Sequence, residues 1–148
     1  AAARNLPIHF HVAGFTDRDD VLRQLPNVSI TGPYREEEAF NLLAGLNCHC
    51  AFFPSVWPET YCYTLSIALL GRLFPVAFDL GAPAERIRAA GVGHVFPLTT
   101  DAAVVNGELL SLTDRLTEPL PESREAPAAY PKLLSDYYGL FWGRTQAA

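Results

Sequence analysis

The sequence predicts an α/β protein built on a parallel β-sheet with helices on both faces. Short, strongly apolar segments rich in Val, Ile and Phe alternate with segments whose apolar residues recur every three to four positions, as strands exchanging with amphipathic helices do. The stretches between them are only a few residues long and carry Gly, Pro, Asn or Asp. Each strand therefore hands over to a helix that crosses back, and such crossovers are right-handed and make their strands parallel.

Taken in order, residues 6–14 form a first strand ended by Gly14, and residues 17–25 a helix with Val21, Leu22 and Leu25 at helical spacing and Thr16 or Asp17 as N-cap. Residues 27–31 are a second strand closed by Gly32-Pro33. The second helix, 36–46, carries Phe40, Leu43 and Leu46 on one face, and its early acids suit the helix dipole. A third strand at 48–53, a third helix at 61–70, a fourth strand at 76–79, a short helix at 83–90 and a fifth strand at 93–98 follow. Residues 102–116 make a helix with Val105, Leu109, Leu112 and Leu116 aligned. This domain spans 1–117. A Pro-rich, charged linker at 118–129, without apolar periodicity, should run extended over the surface, and residues 130–148 hold a C-terminal aromatic helix, with Tyr137, Tyr138, Phe141 and Trp142, that packs onto the domain or docks against a partner.

Composition sets the outer bounds. The chain of 148 residues is one domain, and at 49% hydrophobic and 18% charged residues it is globular, with no apolar run near the roughly 20 residues of a membrane span. A net charge of −5 and a single lysine, Lys132, argue against a general nucleic-acid binder, so any phosphate must be held by Arg and backbone amides. An odd count of three cysteines and no signal-peptide layout favour a cytoplasmic location. With no methionine anywhere, the chain is expected to be a domain of a longer protein.

Chemistry is expected at the junction Phe53-Pro-Ser-Val-Trp-Pro-Glu-Thr-Tyr-Cys-Tyr-Thr-Leu-Ser-Ile-Ala68, where a buried strand runs through a proline-bracketed loop into a helix. Pro54 and Pro58 force the loop to be extended, which puts Glu59 at the helix start and leaves the amides of residues 60–63 unpaired and facing a phosphate or polarised oxygen. Other constellations point elsewhere. In Cys48-His49-Cys50 strand alternation sets His49 opposite both cysteines, and no second pair has zinc spacing, so no metal is expected. His9 and His11 share a strand face and read as satisfied core histidines. A hydrolase lacks its Gly-x-Ser-x-Gly elbow. Asp79 closes a strand, but the acidic pair and lysine of a receiver domain are missing.

Pro54-Ser-x-x-Pro-Glu-Thr-Tyr-Cys-Tyr-Thr-Leu-Ser66 resembles the donor-binding signature of the retaining GT-B glycosyltransferases, family 4 in particular. Pro75-Val-Ala-Phe-Asp79, then Gly81-Ala-Pro-Ala-Glu85-Arg86 and Gly91-Val-Gly93, is similar to the family's next segments, so the likeness covers roughly residues 8–98. It implies a Rossmann-like three-layer fold and the donor half of a glycosyltransferase, with a nucleotide sugar as substrate and neither metal nor cofactor. The acceptor would be held by another Rossmann domain. The family's first strand unit, with its Gly-Arg…Lys cations, has no counterpart here, and losing the central strand of its six-strand order leaves five strands in the order 2-1-3-4-5. The resemblance assigns Glu59, Gly81 and Ala82 to the donor sugar. Tyr63 and Thr64, helped by Arg18 and Arg86, would take the diphosphate, and Tyr34, Arg35 and position 67 the nucleoside. The family carries a second glutamate eight positions after the first; Ile67 stands there instead. Its loss removes two charge-assisted hydrogen bonds to ribose, each about 1.5–3 kcal/mol. The alternative is a non-catalytic nucleotide-binding or protein-interaction domain of the same fold.

Overall fold

The computed structural model describes residues 1–116; the linker at 118–129 and the aromatic helix at 130–148 lie outside the described residues. After a 3-10 turn (Ala2–Arg4), the order is β1 (Phe10–Val12), α1 (Asp19–Leu22), β2 (Val28–Ile30), a second 3-10 turn (Glu36–Glu38) and α2 (Ala39–Gly45). There follow β3 (Cys50–Phe53), α3 (Tyr63–Leu70), β4 (Phe74–Phe78), α4 (Gly81–Ala90), β5 (His94–Phe96), α5 (Ala102–Ser111) and α6 (Thr113–Leu116). The fold is α/β, all strand pairs are parallel, and among the described residues no helix is long and apolar enough to cross a membrane.

The strands form two sheets, β1–β2 and β3–β4–β5. Among the described residues no ladder joins β1 to β3, so a single sheet of order 2-1-3-4-5 is not shown. What unites the two sheets is the core. Every residue of β4 is buried, as a central strand's continuous apolar sequence requires. Alternation sends Phe74, Val76 and Phe78 to one face, with Phe96, Leu109 and Leu112, and Ala77 to the other, with Leu65 and Ile87. Phe52, Phe78 and Phe96, one from each strand of the larger sheet, touch edge-on or stacked at centroid distances of 5.5, 6.1 and 5.1 Å. Phe10 of β1 and Ile8 just ahead of it pack on the same cluster as Cys50 and Phe52 from the larger sheet.

That packing corrects the reading of the histidines. With Ile8, Phe10 and Val12 turned inward, His9 and His11 fall on the opposite side and are exposed, His11 Nδ1 lying 2.7 Å from Ser29 Oγ. Helix boundaries also move. Asp19 accepts from the Thr16 amide and hydroxyl at 2.7 and 2.9 Å, and Thr16 Oγ1 accepts from the Arg18 amide at 3.1 Å, a reciprocal cap that starts a helix of a single turn. More consequentially, α3 starts at Tyr63, so Glu59, Thr60 and Tyr61 belong to the loop. The cause is Cys62, which takes a left-handed φ of 66° and turns the chain just before the helix.

Candidate functional site

The carboxyl ends of β1 and β2 and the N-terminal half of α3 converge on an open cavity of about 440 Å³. Open parallel sheets bind ligands in such a place, outside the carboxyl ends of strands whose connections diverge. From the β1 end come Ala13, Gly14 and Phe15; from the β2 end Pro33, Tyr34 and Glu36; from α2 and α3 come Ala39, Tyr63, Thr64 and Ile67. Gly14 has φ 122°, which bends the chain away from the strand, and the turn is pinned by its amide donating to Thr31 Oγ1 at 2.9 Å and its carbonyl accepting from the Gly32 amide at 2.9 Å. Phe15 and Tyr63 hold rings over the cavity that are 69% and 54% exposed, while Ile67 is 9% exposed and forms its floor.

The structure thus brings Tyr34, Tyr63, Thr64 and Ile67 together. In the first turn of α3 the Leu65 amide donates to Cys62 O at 3.2 Å, which leaves the Tyr63 and Thr64 amides, with the helix dipole, to favour an anion or polarised oxygen. These amides begin at Tyr63, not at Thr60 as the loop prolines suggested.

A second group stands beside the first. The Ala82 amide donates to the Glu59 carbonyl at 2.9 Å. Gly81, at φ 60°, lies so close under the loop that a Cβ would fall 2.9 Å from Glu59 O and 3.0 Å from Pro58 Cα. Glu59, Gly81 and Ala82 are therefore neighbours, as their shared assignment requires. Burial above all pushes the Cys62 thiol above its ordinary value of 9.0; hydrogen bonds from Thr64 and the Leu65 amide oppose it, and a hydrogen bond to Glu59 and then the Glu59 charge add to it. Its Sγ lies 3.4 Å from Thr64 Oγ1. A thiol so held is disfavoured as a thiolate at neutral pH.

The cations are elsewhere. Arg86 donates from Nη1 to the carbonyls of Tyr61 and Cys62 at 2.9 and 2.8 Å and from Nη2 to Ser66 Oγ at 2.7 Å, its guanidinium 4.3 Å above the Tyr61 ring. It clamps α4 to the start of α3. Arg35 is ion-paired with Glu37, and Arg18 is exposed at the start of α1. Among the described residues no cation lines the cavity. Asp79, at the carboxyl end of β4, pairs with Arg88 at 2.7 Å, and that hydrogen bond holds its carboxyl below the usual value. No group of three potential metal ligands occurs among the described residues. Sequence reasoning did not single out Phe15 or Ala39 as cavity residues. Gly14-Phe15 at a strand end was the available signal for the first; nothing local marks the second.

No family model, curated protein or solved structure matches the chain.

Proposed function

We propose that this chain is the donor-binding half of a cytoplasmic GT-B type glycosyltransferase, taking a nucleotide sugar at the carboxyl-edge cavity for transfer to an acceptor held by another domain. The observation that carries the reading is that Tyr34, from the end of β2, and Tyr63, Thr64 and Ile67, from the N-terminal half of α3, border one cavity. In this reading the Tyr63 and Thr64 amides hold the distal phosphate, Tyr34 and Arg35 the base, Glu59 the sugar, and the Gly81-Ala82 turn the sugar's other face. Arg18 supplies charge to the diphosphate. The Rossmann-like sheet order 2-1-3-4-5 belongs to the same proposal, as does inactivity of residues 1–148 without the acceptor domain.

The absence of any cation on the cavity wall, among the described residues, favours a second reading: a non-catalytic nucleotide-binding or interaction domain. A departing diphosphate needs positive charge where its own charge develops, and amides supply only part of it. Ile67 discriminates between a working donor site and an abandoned one. If ribose lies over the cavity floor, Ile67→Glu tightens uridine or guanosine diphosphate binding, and millimolar ligand restores the melting temperature of the variant. If the cavity holds no nucleotide, the buried carboxylate costs about 2 kcal/mol or more, and the lower melting temperature does not recover with ligand, which overturns the donor-site reading.

A further inference from the structure

We propose that the cavity selects guanine: Glu36 accepts from the two adjacent N–H groups on the Watson–Crick edge of the base, while Phe15, Tyr34 and Tyr63 hold its ring over Ile67. The proposal rests on the nucleotide-sugar reading for the site and adds the base to it. Its ground is the make-up of the wall. Three aromatic rings and an isoleucine floor suit a flat, largely apolar body, and among the described residues the one charged side chain on the wall is a carboxylate.

The fold places the rings. A Cβ on Gly14 would lie 3.7 Å from Tyr34 Cε1, so the Tyr34 ring rests beside the turn that ends β1. On the helix side Tyr63 lies against Tyr61, with centroids 4.8 Å apart, and Tyr61 is covered in turn by the Arg86 guanidinium at 4.3 Å. Phe15, at 69% exposed, has the most surface of the three for a ligand to cover. Stacking on such rings tells no base from another, because every base has a π-face. Selection has to come from an edge.

Glu36 supplies that edge contact. In the run Glu36-Glu37-Glu38, Glu37 pairs with Arg35 and Glu38 Oε2 accepts from the Arg35 amide at 3.3 Å, while Glu36 lines the cavity. A carboxylate only accepts, and its two oxygens carry about four lone-pair positions, enough to meet a ligand beside any contact within the protein. Among the common bases guanine presents two donors side by side, N1–H and N2–H, which one carboxylate meets with both oxygens. Uracil presents one donor between two carbonyls, and adenine and cytosine one donor beside a ring-nitrogen acceptor, so each sets an acceptor against Glu36. The same negative charge turns the diphosphate to the other end of the site, by the Tyr63 and Thr64 amides.

The test is calorimetric titration of the 148-residue chain with guanosine, inosine, uridine and adenosine diphosphates. Inosine diphosphate differs from the guanosine ligand only in lacking the 2-amino group, and both carry the same charge, so the ratio of their affinities reads the edge contact alone. Guanosine diphosphate should bind about tenfold tighter than each of the other three. Glu36→Gln, a change at an exposed side chain, should bring the guanosine and inosine ligands to the same affinity. Phe15→Ala, exposed as well, should weaken all four about tenfold. Equal binding of the four, a preference for another base, a guanosine preference that survives Glu36→Gln, or undiminished binding by Phe15→Ala overturns the guanine assignment and leaves the donor site standing. If none of the four binds at millimolar concentration, the nucleotide reading of the cavity falls, and the guanine assignment with it.

Discussion

Arg86 shows how a residue's type can be legible while its task is not. A guanidinium one turn into a helix that begins at a sheet's carboxyl edge invites a phosphate role, and the resemblance assigned one. In the structure its guanidinium donates to two carbonyls and a hydroxyl at the start of α3 and stacks on Tyr61. We expect Arg86→Lys to lose about 2–3 kcal/mol in urea unfolding, because an ammonium cannot span both carbonyls and the hydroxyl. The loss should be the same with and without nucleoside diphosphate. An Arg86→Lys variant with unchanged stability but no diphosphate binding would return the residue to the phosphate. Gly93 is the converse case, fully determined by space: a Cβ would stand 2.5 Å from Pro75 O and 2.8 Å from Ile87 Cγ2, so only glycine lets the start of β5 approach β4.

At the scale of elements, every strand and helix expected within residues 1–116 has a counterpart in the expected order, the helix of 102–116 divided into α5 and α6, because each is marked locally by an apolar run or a helical period. What could not be read is of two kinds. One is a single unusual dihedral: the left-handed φ of Cys62, in a residue with no special tendency toward it, delays α3 and leaves Glu59 in a loop against Gly81. The other is pairing, which joins residues far apart in sequence and leaves no local mark. The α3 start has a chemical signature that can be measured. Burial, aided by a hydrogen bond to Glu59 and by its charge, raises the Cys62 thiol from its ordinary 9.0, so in the wild type alkylation by iodoacetamide should be slow at neutral pH. Glu59→Gln removes the negative charge that disfavours the thiolate, lowers the thiol's pKa and should move the alkylation profile to lower pH. A profile that does not shift would mean that the Glu59 side chain lies away from Cys62, and the shared placement of Glu59 with the α3 start would fail.

For the whole molecule the question is whether two sheets make one cooperative unit. They share no backbone ladder, so cohesion between them falls to side chains, chiefly Ile8 and Phe10 resting on the cluster of Phe74, Val76, Phe96 and Leu112, with Leu116 of α6 on the same cluster. Contacts of that kind transmit stability only if the faces are close-packed, since dispersion falls off within a fraction of an ångström. Phe10→Ala removes the ring of a half-buried side chain and should cost about 1–3 kcal/mol, less than a fully buried phenylalanine would. If the core is shared, that loss appears equally in the exchange of amides in β4, such as Val76 and Ala77, as in β1 and β2, and thermal unfolding remains a single transition. If β1 and β2 open on their own, Phe10→Ala accelerates exchange at Val28 and Ile30 while β4 keeps its wild-type protection. That outcome would make the β1–β2 pair a separately stable flap beside the cavity, and the cavity's two walls would then be held in register by α3 and its neighbours alone.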